Sequence, residues 1–142
     1  MKKIITSFMI AVIIVSCLAP CSFAVYEDEH YSNEIMKPRY DIISNISMNF
    51  DISSSGRANC SATVIIPSGY RVDVTVELQQ KVGREWNTIH DWTASGKNFV
   101  TISDFRYVLS GHSYRLKVTA NTYDSNGNLV EDPVEYSPIR NY

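Results

Sequence analysis

The sequence predicts an all-β protein, a seven-stranded antiparallel sandwich behind a short N-terminal leader. Three observations carry that expectation. Apolar and polar residues alternate with a period of two through most of residues 40–140. The alternating runs are short and are separated by Gly-, Asn-, Ser- and Pro-containing turns. After the leader, no stretch carries a sustained helical repeat.

The leader comes first. Met1-Lys2-Lys3 is basic, and Ile4 to Val15 is an apolar run broken by Thr6 and Ser7. Small residues follow, ending in Ser22-Phe23-Ala24. This is the pattern of a secretory signal cleaved after Ala24. Two other fates compete with release. Ile14-Val15-Ser16-Cys17 resembles a lipobox, which would tether the chain through a lipid on Cys17, and Cys21 after Pro20 fits such a motif poorly. Uncleaved, residues 4–24 just reach the ~20 residues that span a bilayer. Removal of residues 1–24 leaves 118 residues, one domain's worth. The leader takes two of the 13 basic residues, so 11 stand against 15 acidic ones and the net charge becomes −4. That balance, with no basic cluster, excludes nucleic acid as the expected partner. Contact with a membrane is expected only through an uncleaved or lipidated N-terminus. Cys60 alone remains, so no internal disulfide is expected and the core must hold the fold.

Residues 25–39 read as an extended acidic linker and residues 40–142 as the domain. In the first strand Ile42, Ile46, Met48, Phe50 and Ile52 share one parity. The second strand turns Ala58, Cys60, Ala62, Val64 and Ile66 inward. The third, the clearest alternation, has Val72, Val74, Val76 and Leu78 inside. The fourth, Glu85 to Trp92, is mixed. Trp86, Ile89 and Trp92 recur every three residues, as on a helix, but β-branched and aromatic content favours a strand with a bulge. The fifth spans 99–103 with Val100 and Ile102 inward, and Phe105, Tyr107 and Val108 in the following link are expected to give apolar cover. The sixth alternates Tyr114, Leu116, Val118 and Ala120 against Arg115, Lys117, Thr119 and Asn121. Asn126-Gly127 marks a hairpin turn. The seventh, about 130–137, contains Pro133 and meets Pro138, as suits an edge.

Gly111 three residues before Tyr114 suggests a tyrosine corner, with the ring in the core and the hydroxyl bonded to upstream backbone. On these marks, and on strand spacing, residues 40–140 resemble an immunoglobulin-like or fibronectin type III sandwich of the bacterial kind. The layout is similar to small secreted proteins of Gram-positive bacteria. The resemblance implies a sheet of the first, second and fifth strands facing one of the fourth, third, sixth and seventh. Cys60 occupies the place of the antibody-type strand-B cysteine, but Leu116 stands where its partner would be, and Trp86 lies one strand later than the usual buried tryptophan.

Catalytic chemistry finds little support. His30, His90 and His112 are scattered with no second ligand at metal spacing. Cys60 lies among apolar neighbours and reads as a core residue. Asp124-Ser125-Asn126-Gly127-Asn128, with Glu131 and Asp132 beyond, offers oxygen ligands, but its glycine is misplaced for a calcium loop. Two glycosylation triplets, Asn45-Ile46-Ser47 and Asn59-Cys60-Ser61, fall within strands and read as chance matches. No enzyme activity, cofactor or metal is expected.

The surface signal is aromatic. Nine tyrosines and two tryptophans exceed what so small a core needs. Trp86, Trp92, Tyr123 and Tyr136 form the candidate binding face, with Tyr136 placed as the cross-strand neighbour of Tyr123 and Tyr114, Gly111 and Cys60 as structural residues. The expected function is that of a non-catalytic binding module, secreted or tethered at the cell surface, for a glycan or protein. The alternative is a structural spacer or assembly subunit of the cell envelope that pairs through strand edges.

Overall fold

The computed structural model describes residues 40–142, so the leader and the linker over 25–39 lie outside the described residues. Among the described residues every regular element is a strand: β1 (Asn45–Ile52), β2 (Arg57–Ile65), β3 (Arg71–Val82), β4 (Glu85–Gly96), β5 (Phe99–Tyr107), β6 (Ser113–Tyr123), β7 (Leu129–Glu131), β8 (Val134–Tyr136) and β9 (Arg140–Asn141). They form two antiparallel sheets. One has the order β1-β2-β5; in the other, β4-β3-β6 is followed by β7, β8 and β9, each paired to β6.

The core lies where the period-two pattern puts it. Ala58, Cys60, Ala62 and Val64 of β2 and Val100 and Ile102 of β5 are buried together with Val72, Val74, Val76 and Leu78 of β3 and Tyr114, Leu116, Val118 and Ala120 of β6. The small side chains cluster on β2 and β-branched valines fill β3, a complementary filling for a close-packed interior. Tyr114 is fully buried and its Oη donates to the Leu109 carbonyl at 2.7 Å. Gly111 begins that corner at φ 82°, a conformation glycine adopts without strain. Gly56 is more constrained: at φ 79°, an added Cβ would come within 2.9 Å of the Val108 carbonyl oxygen.

The departures from the sequence pattern have identifiable physical causes. Ile43 rather than Ile42 is buried, because residues 40–43 are not strand. Their backbone is held by side chains: Glu131 accepts the N–H groups of Asp41, Ile42 and Ile43 at 2.8, 3.2 and 2.8 Å, and the Tyr40 hydroxyl donates to Glu135 at 2.7 Å. The fifth strand runs on to Tyr107, because β2 is long enough to pair it through Arg57. Phe105 and Tyr107 are therefore outward and exposed rather than apolar cover. The last strand is three short pieces, broken around Pro133 and Pro138, where a ladder donor is missing. Ser137 repairs one break: its Oγ accepts the Leu116 N–H at 2.8 Å while its own N–H donates to the Leu116 carbonyl.

The bulge in β4 has the largest consequence. Leu78 pairs with His90 and Gln79 with Thr88, leaving Ile89 as the extra residue. Trp86 and Trp92 are six residues apart and would share one face of a regular strand. The inserted residue reverses the parity. Trp92 stands opposite Val76 and packs on the core, whereas Trp86 stands opposite Lys81 on the outer face.

Candidate binding face

The outer face of the larger sheet is built by register. Gln79 lies directly opposite Arg115, Glu77 opposite Lys117, Thr88 opposite Gln79, and Tyr136 opposite Lys117. All of these side chains therefore point away from the core. The Arg115 guanidinium sits between two rings, 4.3 Å from the centroid of Trp86 and 4.1 Å from that of Tyr136. Its Nε donates to Gln79 Oε1 at 2.9 Å, which fixes the plane of the guanidinium. Lys81 approaches Trp86 at 6.0 Å. Lys117 pairs with Glu77 at 2.6 Å, and Thr88 donates to the other Glu77 oxygen at 2.9 Å. The row crosses β4, β3, β6 and β8, roughly 14 Å at the usual strand spacing.

Such a row is stiffer than isolated surface side chains. Each cation–π contact contributes about 0.5–1 kcal/mol at an exposed site and more where water is excluded. The hydrogen bond to Gln79, itself buried, removes rotamer freedom from Arg115. Burial pushes the Glu77 carboxyl up, but hydrogen bonds from Lys117 and Thr88 outweigh it and hold the group below its ordinary 4.5. The face thus presents fixed positive charge at Arg115 beside a neutralised Lys117–Glu77 pair.

The four aromatic residues expected on one face divide. Trp86 and Tyr136 come together around Arg115. Tyr123 is on the same outer face but eight residues along β6 from Arg115, about 26 Å at strand rise. There it lies 4.6 Å from the Arg71 guanidinium, which also pairs with Asp73 at 2.6 Å. Tyr136 is not its neighbour; Leu129 is. Trp92 is on the inner side, edge-on to His90 at 4.6 Å. Gln79, Arg115, Glu77 and Lys117 were not singled out from sequence as members of a site. Their outward parity was readable, but their juxtaposition depends on the pairing of β3 with β6.

The remaining candidates are structural in placement. Cys60 is a buried free thiol pushed up to about 12, by burial first and then by the nearby Asp104 carboxylate, so it is a poor nucleophile at neutral pH. Asp124 uses its carboxylate on its own turn, accepting the N–H groups of Asn126 and Asn128 at 2.9 Å and the Asn128 side-chain amide at 3.0 Å. Those bonds, led by the one from the Asn128 side chain, lower its pKa. Glu131 is occupied by the backbone of residues 41–43. Among the described residues, no group of three or more His, Cys, Asp or Glu side chains is arranged to hold a metal ion. His90 and His112 each lie edge-on to an aromatic ring, and His30 is outside the described residues.

No protein-family model matches the chain, and no curated protein matches it.

Proposed function

We propose that the chain is an exported, non-catalytic binding domain of the immunoglobulin-like or fibronectin type III kind, and that it recognises a protein partner at the cell surface through Trp86, Arg115 and Tyr136. The fold assignment is supported by the sheet orders β1-β2-β5 and β4-β3-β6-β7, which are those the resemblance implies, and by the Tyr114–Leu109 hydrogen bond. The observation that carries the functional reading is the guanidinium of Arg115 clamped between two outward rings. Trp, Tyr and Arg are the residues in which interface energy concentrates, and here they are held ready before a partner arrives. The same geometry favours protein over glycan. Arg115 takes one face of each ring, which leaves less ring surface for a sugar to stack on and adds a charge that a protein carboxylate can meet.

The test is capture from surface extracts of the producing organism with wild-type chain and with Arg115→Ala and Trp86→Ala variants. The reading expects one protein species retained by wild type and lost by both variants while their circular dichroism is unchanged. Capture that survives both substitutions contradicts it. Tryptophan quenching by cell-wall polysaccharide that Trp86→Ala abolishes would move the reading to a glycan.

A further inference from the structure

Two antiparallel sheets have four edges, and three of them are interrupted or partly covered. The edge formed by β7, β8 and β9 is cut by Pro133 and Pro138 into pieces of two or three residues. The edge at β4 is kinked by the bulge at Ile89. On β1, the bond from the Ser53 N–H to the Arg57 carbonyl turns odd-numbered residues toward β2, so even-numbered ones face outward. Arg140 covers that edge by donating its Nε to the Phe50 carbonyl at 3.2 Å.

The fourth edge, β5, is different. It runs nine residues in unbroken register with β2, without proline or bulge. The bonds Ile66 N–H to Asn98 and Val108 N–H to Gly56 turn even-numbered residues toward β2. The backbone groups of Phe99, Thr101, Ser103, Phe105 and Tyr107 therefore face outward. Two of their N–H groups are met locally: Phe99 donates to the Lys97 carbonyl, and Phe105 to Asp104 Oδ1 at 2.7 Å. Among the described residues, nothing meets the outward N–H groups of Thr101, Ser103 and Tyr107. The side chains of this row carry no charge, and Phe99 and Tyr107 are 66% and 65% exposed.

We infer that β5 is an assembly edge which pairs antiparallel with β5 of a second copy about a two-fold axis at Ser103. Only that register uses all five outward residues. Phe99 stands opposite Tyr107 of the second copy, Thr101 opposite Phe105, and Ser103 opposite itself. The outer row then sets aromatic against aromatic and aromatic against threonine, pairings that stabilise antiparallel strands. No like charges meet directly, since Asp104 falls opposite Ile102 and Arg106 opposite Val100. An axis one residue later places Asp104 opposite itself. The Phe105 N–H exchanges its bond to Asp104 for one to the Thr101 carbonyl of the second copy. The two three-stranded sheets become one sheet of six, and the aromatic face built around Arg115 stays free on each copy.

Sedimentation of the full chain across a concentration series, with two variants, tests the inference. Ser103→Pro deletes an N–H that serves no bond to β2, so the fold is retained while the axis position is blocked. The wild type is expected to dimerise with rising concentration and Ser103→Pro to stay monomeric. Ser103→Cys is expected to form a disulfide-linked dimer under mild oxidation, above any level the wild type shows in the same gel. A wild type that stays monomeric throughout, a dimer that persists in Ser103→Pro, or no added cross-linking in Ser103→Cys overturns the proposal. The cysteine variant decides the case if the proline variant fails to fold.

Discussion

The outer faces of the two sheets make opposite use of the same residue types. Each carries an arginine over an aromatic ring: Arg115 at 4.3 Å from Trp86, and Arg57 at 3.9 Å from Phe105. On the larger sheet the arginine lies in mid-sheet, is held by Gln79 and is flanked by a second ring. On the smaller sheet Phe105 and Tyr107 pack edge to face, 5.9 Å apart, on a strand with an open flank. A cation–π contact alone therefore does not define a recognition face. What differs is the support beneath it. The first arrangement is fixed by cross-strand neighbours on both sides, whereas the second ends at unpaired backbone and is completed by another strand.

The bulged strand gives the sharpest way to break this contrast. Deleting Ile89 makes Thr88 and His90 consecutive opposite Gln79 and Leu78, so Trp86 keeps its outer place and Trp92 its inner one, and the loss should be small. Trp92→Ala instead removes the ring packed on the core beside Val76; the expected loss is about 3 kcal/mol, and denaturant unfolding followed by the emission of Trp86 reads it. Arg115→Ala should cost about 1–3 kcal/mol in the same assay, since two ring contacts and the Gln79 bond go together. Arg57→Ala, with one ring contact and no fixed partner, should cost no more than ~1 kcal/mol. Equal losses would remove the distinction between the faces. Thr122→Val sharpens it from the core side. Among the described residues the buried Thr122 Oγ1 has no hydrogen-bond partner, so the valine variant should gain about 1 kcal/mol, visible as a higher Tm.

The smallest effect concerns pH. Glu77 has a folded pKa below its unfolded value, so its contribution is complete above the unfolded value and is lost as pH falls through the folded one. The stability difference between wild type and Glu77→Gln, under ~1 kcal/mol at neutral pH for a surface ion pair, should therefore shrink as pH falls below the ordinary glutamate range. A difference that grows on acidification contradicts the assignment of the Lys117–Glu77–Thr88 row.

The inner face was legible in the sequence because burial has a period of two. Every residue placed inward on β2, β3 and β6 is buried. The bulge was legible too, from a mixed pattern at Trp86, Ile89 and Trp92 in a stretch whose β-branched and aromatic content favours strand, although its consequence was not. Parity says which side a residue takes only until an extra residue reverses it, so Trp92 could not be told from Trp86 by pattern alone. Register was not legible. Tyr136 falls opposite Lys117 rather than Tyr123 because Pro133 breaks the last strand and Ser137 re-seats it, and both are long-range pairings. The irregular entry at residues 40–43 was hidden for the same reason, since its partners Glu131 and Glu135 lie about 90 residues on.

Site-specific photocrosslinking tests the division of labour most directly. Tyr136 and Tyr107 are replaced, one at a time, by p-benzoylphenylalanine, which keeps a ring at each position, and the full chain is irradiated with surface extract of the producing organism. Position 136 is expected to give an adduct with a different protein, and position 107 an adduct of twice the chain's own mass. An exchange of the two products, or a heterologous adduct from position 107 with none from position 136, would contradict that division.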